Sequence, residues 1–172
     1  MINMKKYFSI ISLFMILASC EERTEKPENS RGIPGPEKVE AITGTNNPEV
    51  RAEKLKNDGY EVFLHKEGDS TFLMQQYYMV LLKEGENRNQ DSTEVAELQK
   101  QHMAHLNRMI SDGYASLTGP FENAGELRGV VIFNTRTAEE ADSLARMDPM
   151  VEAGRLAVEV HPWWTLKGGK LE

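Results

Sequence analysis

Residues 71–82 read TFLMQQYYMVLL, and this stretch decides the fold class. Its second half is nearly all apolar, which is typical of a β-strand covered on both faces. The run YEVFLH at residues 60–65 is also β-like, and the turn-rich KEGDS at residues 66–70 separates the two. The pattern predicts a β-hairpin whose second strand continues into the centre of a sheet.

A helix is predicted after this strand. Asp91 can cap the helix N-terminus while Glu94 reaches back three residues later, the arrangement of a capping box. The helix should continue to about Asp112, with Gly113 as its left-handed stop. One face is expected to be buried, because apolar residues recur at a spacing of three or four along it: Val95, Leu98, Leu106, Met109 and Ile110.

The rest of the chain continues the alternation of strands and helices. Strands are predicted at residues 114–118 and 129–133, a helix after Thr137, and a last strand at residues 155–161. The order predicts an α+β fold of the ferredoxin-like βαββαβ type, an antiparallel sheet with helices on one face, preceded by an extra N-terminal hairpin strand. The sheet face that lacks helices commonly pairs with another subunit, so a homodimer is expected.

The N-terminus has the pattern of a bacterial lipoprotein precursor. Lysines at positions 5 and 6 precede an apolar stretch at residues 7–18, which has the length of a signal-peptide core. The tetrad LASC at residues 17–20 resembles the lipobox, in which the cysteine receives lipid and the chain is cut before it. Cys20 is the one cysteine of the sequence, so no disulfide can form within the chain.

These features predict the domain organisation. We expect a signal peptide at residues 1–19, lipidated Cys20 with a flexible tether at 20–55, the extra hairpin strand at 56–74 and the main domain at 75–168. The protein would then be anchored to a membrane of the cell envelope, in a leaflet that the sequence does not identify. An ordinary secretory signal is the alternative.

The net charge of −7 without a basic stripe argues against nucleic acid as a partner.

Several short motifs of the folded part together resemble one known family. They are YYMVLL at residues 77–82, HMAHL at 102–106 leading to DGY at 112–114, GPF at 119–121, AEEA at 138–141, DP at 148–149, AG at 153–154 and PW at 162–163. In this order and spacing they resemble the YciI-like, or YCII-related, family over almost the whole folded part. Met150 is a departure, since family members often have an aromatic residue there.

The resemblance implies a ferredoxin-like fold that dimerises in the manner of dimeric α+β barrels. It also implies a candidate active site made of a histidine of the first helix and the aspartate before the proline, which are His102 and Asp148 here. One branch of the family removes a proton to dehydrochlorinate a chlorinated hydroquinone. Such chemistry needs no cofactor, and we expect none.

Both residues also have structural explanations. His102 projects from the middle of the apolar stripe, where an imidazole must have a partner or face a cavity. It is therefore either a core histidine held by the backbone or a general base, for which the ordinary pKa of histidine is suited. Asp148 can cap the turn that begins at Pro149, and its second oxygen would remain free to orient a histidine.

Five further residues are predicted to border a ligand pocket: His105, Gly119, Pro120, Met150 and Trp163. His102 and His105 lie one helical turn apart, but two histidines without a third ligand nearby make a poor metal site, so no metal is predicted. Two functions remain open. The first is an enzyme that uses His102 and Asp148 for acid–base chemistry on a small organic molecule. The second is a non-catalytic, lipid-anchored dimeric module that binds a small ligand or an envelope protein.

Overall fold

A computed structural model describes residues 47–122 and 125–171. All of them belong to one compact unit. The predicted signal peptide, Cys20 and the tether before residue 47 lie outside the described residues. No helix within the described ranges is long and apolar enough to span a membrane.

The helices and strands of the described residues follow the predicted order, with an additional helix at the start and a short helix where a turn was predicted at Pro149. In chain order they are α1 (Pro48–Asn57), β1 (Val62–Glu67), β2 (Ser70–Glu84), α2 (Ser92–Ser111), β3 (Ala115–Pro120), β4 (Leu127–Phe133), α3 (Ala138–Arg146), α4 (Pro149–Glu152) and β5 (Leu156–Leu166).

The sheet is organised around β2, which pairs with three strands. Residues 70–75 of β2 pair with β1, and residues 78–83 pair with β4 on the same edge. Residues 74–84 pair with β5 on the opposite edge, and every pairing is antiparallel. Without the β1 extension the strand order is β5-β2-β4-β3. The predicted ferredoxin-like α+β fold is therefore confirmed.

The face of β2 that carries the buried side chains changes near the middle of the strand. Tyr78, Val80 and Leu82 are buried, whereas Met79 and Leu81 between them are half-buried. Side chains alternate between the two faces of a strand, so the helices that follow β2 cover one face here and leave the other more open. The apolar run predicted cover on both faces, but this part of β2 is covered on one face and only partly shielded on the other.

The N-cap residue and the C-terminal stop of α2 are those that the sequence predicted. The Asp91 carboxylate accepts hydrogen bonds from the backbone N–H groups of Thr93 and Glu94 at 2.8 and 2.9 Å, and Gly113 adopts a φ of +82° just after α2. Of the apolar residues predicted for the buried face of α2, Leu106 and Met109 are buried, Val95 and Leu98 are half-buried, and Ile110 is 41% exposed. At 3.6 residues per turn, Ile110 lies about 90° around the helix from the centre of the buried face.

The predicted tether is wrong at its C-terminal end, because residues 48–57 form α1. The Asn47 side chain caps this helix and Pro48 is its first residue, a combination that favours a helix start. Ala52 of α1 packs with Tyr60, Val62 and Leu73. Leu73 points away from the face that holds Tyr78, so α1 covers the opposite face of the first half of β2.

Candidate functional site

The side chains of His102 and Asp148 are in direct contact where α2 packs against α4. The Nδ1 atom of His102 lies 2.5 Å from Oδ2 of Asp148, although the residues are 46 positions apart in sequence. The side chains are 11% and 2% exposed, respectively. The contact forms because α2, which carries His102, packs against α4, whose N-terminus is capped by Asp148.

The local sequence around Asp148 explains how its carboxylate is aimed. Met147 is the C-cap of α3, and Pro149 begins α4 with the backbone angle that its ring already imposes. Oδ1 of Asp148 accepts a hydrogen bond from the backbone N–H of Met150 at 2.9 Å, which leaves Oδ2 for His102. The two oxygens therefore cap the helix and hold the histidine at the same time.

This hydrogen bond determines which nitrogen of His102 is available to a ligand. An ionised carboxylate only accepts, so Nδ1 must carry the hydrogen in the contact with Oδ2. In the neutral imidazole the lone pair is then on Nε2. His102 thus has the arrangement of a general base whose ring is held by a carboxylate.

A cavity of about 560 Å³ lies between α2 and the sheet, with His102 in its wall. This volume is in the range of small-molecule sites. Its apolar wall comes from β2, α2, α4 and β5: Leu82, Met103, Leu106, Met150 and Leu156. Its polar wall contains Gln99, His102, Thr118, Arg88, Arg128 and Arg155.

The five residues predicted to border the pocket divide into two groups. Gly119, Pro120 and Met150 line the cavity. The position predicted for Trp163 is wrong, because this residue lies 39% exposed on β5, opposite Tyr77 of β2, and is not part of the cavity wall. An aromatic residue near a strand end has no sequence signal that distinguishes a pocket wall from another surface.

The position predicted for His105 at the pocket rim is also wrong. His105 is 4% exposed, and its Nδ1 lies 3.1 Å from Nη2 of Arg108. Arginine can only donate, so this nitrogen is the acceptor and the hydrogen of the neutral ring is on Nε2. Burial lowers the pKa of His105, while the charge of Asp148 opposes the shift. His105 is therefore a neutral core histidine of the kind considered above for His102.

No motif in the sequence pointed to the arginines of the cavity. Arg88 is in the loop after β2, Arg128 is on β4, and Arg155 directly precedes β5. A single arginine in a loop or near a strand end is ordinarily expected to be exposed to solvent. Within residues 47–122 and 125–171 there is no group of three or more His, Cys, Asp or Glu side chains arranged to hold a metal ion.

The family model of the YCII-related domain matches residues 76–164. Among solved structures, the chain is similar to 5-chloro-2-hydroxyhydroquinone dehydrochlorinase from Burkholderia phenoliruptrix AC1100 in complex with 2,5-dihydroxybenzoquinone. The two are 20% identical, the alignment covers 51% of this chain and 92% of that one, and the TM-score is 0.40. The search of the curated proteins gave no match.

The family match covers the part of the chain that builds the cavity. It begins within β2 and ends within β5, and it includes both His102 and Asp148. It spans more than half of the sequence. This chain therefore belongs to the YCII-related domain family.

Proposed function

We propose that this protein is an enzyme that carries out acid–base chemistry on a small organic molecule bound beside His102. The observation that carries the proposal is the buried contact between His102 Nδ1 and Asp148 Oδ2, in the wall of a cavity large enough for a substrate. A core histidine needs only a backbone partner. A histidine held by a buried carboxylate at a cavity wall is the arrangement that proton transfer requires.

The chemistry follows from the hydrogen-bond pattern. Nε2 of neutral His102 would take a proton from a C–H or O–H group of the substrate, which makes the ring an imidazolium. The Asp148 carboxylate stabilises that positive charge and prevents the ring from rotating. The Met150 N–H fixes the carboxylate in turn, so the base is preorganised before the substrate arrives.

Deuterium exchange provides a direct test. The protein would be incubated in D₂O with small carbon acids that include hydroxylated and chlorinated hydroquinones, and loss of the acidic C–H signal would be followed by NMR. We expect exchange of at least one compound to be faster with the wild-type protein than with His102→Gln, by on the order of 10²-fold.

The matched control is His161→Gln. His161 is an exposed histidine of β5 that pairs with Glu159, so this variant loses an imidazole without altering the cavity. It should retain the wild-type exchange rate. Equal rates for wild type and His102→Gln on every compound would contradict the proposal.

We further propose that the domain works at a membrane, held by lipid on Cys20. The support is the sequence pattern of the N-terminus: two lysines, a short apolar stretch and the tetrad LASC. Attachment of two or three acyl chains would be durable, because one chain alone binds a membrane only reversibly.

Mass spectrometry of the full-length protein expressed in a bacterium would test the anchor. The mature chain is expected to begin at Cys20 and to carry the added mass of acyl chains, and Cys20→Ser should carry none. A mature wild-type chain with an unmodified Cys20 would refute this anchor without affecting the proposed chemistry.

A further inference from the structure

Three guanidinium groups share the cavity wall with His102. Arg88, Arg128 and Arg155 come from three separate segments, and among the described residues that line the cavity none is acidic. This is unusual in a chain whose net charge is −7. Positive charge is thus concentrated at a concave site of an otherwise acidic protein, where it favours anionic ligands.

Ion pairs and hydrogen bonds hold the three arginine side chains in place. Glu84 forms ion pairs with Arg128 and, at 3.6 Å, with Arg88. Nη1 of Arg88 donates to the backbone oxygen of Arg155 at 3.2 Å, and Nη1 of Arg155 donates to Oε1 of Gln90 at 3.2 Å. The side chains are therefore positioned without a ligand, which reduces the entropy lost on binding.

This network does not neutralise the arginines. The hydrogen bond from Arg128 lowers the pKa of Glu84, so Glu84 is ionised and supplies one negative charge against three positive ones. A guanidinium has five N–H donors, and the contacts among the described residues use no more than two on each arginine. Both charge and donors remain for a ligand.

We propose that the cavity binds a small organic anion whose carboxylate or other planar oxyanion group is held by Arg88, Arg128 and Arg155. The apolar body of the ligand would lie against Leu82, Leu106 and Met150, and the reacting part would face His102. The planar fork of arginine suits such groups because it can donate two parallel hydrogen bonds. This inference rests on the proposed function, since it assigns the substrate class of the same site.

Calorimetric titration of the purified protein with benzoate and benzamide would test the charge requirement. The two probes share a ring, but only benzoate is charged. We expect benzoate to bind at least tenfold more tightly than benzamide, and its affinity to fall as the salt concentration rises. Equal affinity for the two probes, or no benzoate binding at millimolar concentration, would overturn the proposal.

Arginine variants would localise the effect. Arg88→Met and Arg155→Met should each weaken benzoate binding by roughly tenfold and leave benzamide binding unchanged. Arg155→Lys keeps the positive charge but loses the planar guanidinium group. It should therefore bind benzoate more tightly than Arg155→Met and less tightly than the wild type. The control is Arg146→Met, which removes an exposed arginine of α3 that pairs with Asp142. Benzoate binding that is the same in all four variants as in the wild type would refute the assignment.

The His102→Gln variant separates this inference from the proposed chemistry. It should still bind benzoate in preference to benzamide, because the arginines are intact. Selective benzoate binding without any catalysed exchange in the wild-type protein would refute the enzyme and retain the anion site. Catalysed exchange without selective benzoate binding would refute the anion site and retain the enzyme.

Discussion

Replacing Asp148 with alanine is expected to lower the free energy of unfolding by about 2–6 kcal/mol, because two buried N–H donors lose their acceptor and each unsatisfied donor costs about 1–3 kcal/mol. The side chain is 2% exposed, and both of its oxygens are used. In the variant, the Nδ1–H of His102 and the N–H of Met150 would be left without an acceptor in the protein interior. The cap of α4 would also be lost, which adds to the destabilisation.

Urea unfolding followed by circular dichroism would measure this loss. Asp148→Asn should be affected less, because its one amide oxygen can replace one of the two acceptors. Asp142→Ala is the matched control, since Asp142 is an aspartate of α3 in an exposed pair with Arg146 and its loss should cost less than about 1 kcal/mol. If Asp148→Ala were as stable as this control, the contact would not have the structural importance inferred from its burial.

Replacing Gly85 with alanine is expected to destabilise the protein by about 3 kcal/mol, at the upper end of the effects of overpacking. A β-carbon on Gly85 would clash with the carbonyl oxygen of Gly154 and lie 2.7 Å from the carbonyl carbon of Arg155. Backbone cannot rotate away as a side chain can. The N–H of Gly85 donates to the oxygen of Arg155 at 3.0 Å, so relieving the clash would break this hydrogen bond.

The same substitution should alter the cavity, because the displaced segment carries Arg155. Thermal unfolding and benzoate titration of the variant would measure the two effects. Gly119→Ala is the control for stability, since a β-carbon there meets no atom of the described residues within 4 Å. A change of about 0.5 kcal/mol or less is expected for it. Equal stability of the two variants would show that the backbone near Gly85 yields more easily than inferred.

Local sequence patterns predicted much of the fold. The cap at Asp91, the helix start after Thr137 and the stop at Gly113 were predicted because each depends on hydrogen bonds or backbone angles within a few residues. The periodic apolar residues predicted α2 and its general orientation. They misplaced Ile110 because a list of apolar positions does not reveal how wide a stripe the sheet covers.

The start of the folded part was harder to predict. Half of residues 48–57 are charged, so their composition suggested a tether, yet Ala52 and Leu55 pack α1 onto the hairpin. A helix with so narrow an apolar face is stabilised mainly by the surface it contacts. That surface exists only after β1 and β2 have paired. Dimerisation and the lipid anchor remain predictions.

The candidate site was likewise predicted in part by local sequence and decided in part by the tertiary structure. The sequence by itself determined that His102 lies on the apolar face of a helix and that Asp148 caps the turn at Pro149, because both are local properties of the chain. Only the tertiary structure decided that Nδ1 and Oδ2 meet, that His105 is buried outside the cavity, and that Arg88, Arg128 and Arg155 gather around it. These contacts join residues that are far apart in the chain. They depend on the register of β2 with its neighbours and on the packing of α2 against α4, which no short stretch of sequence encodes.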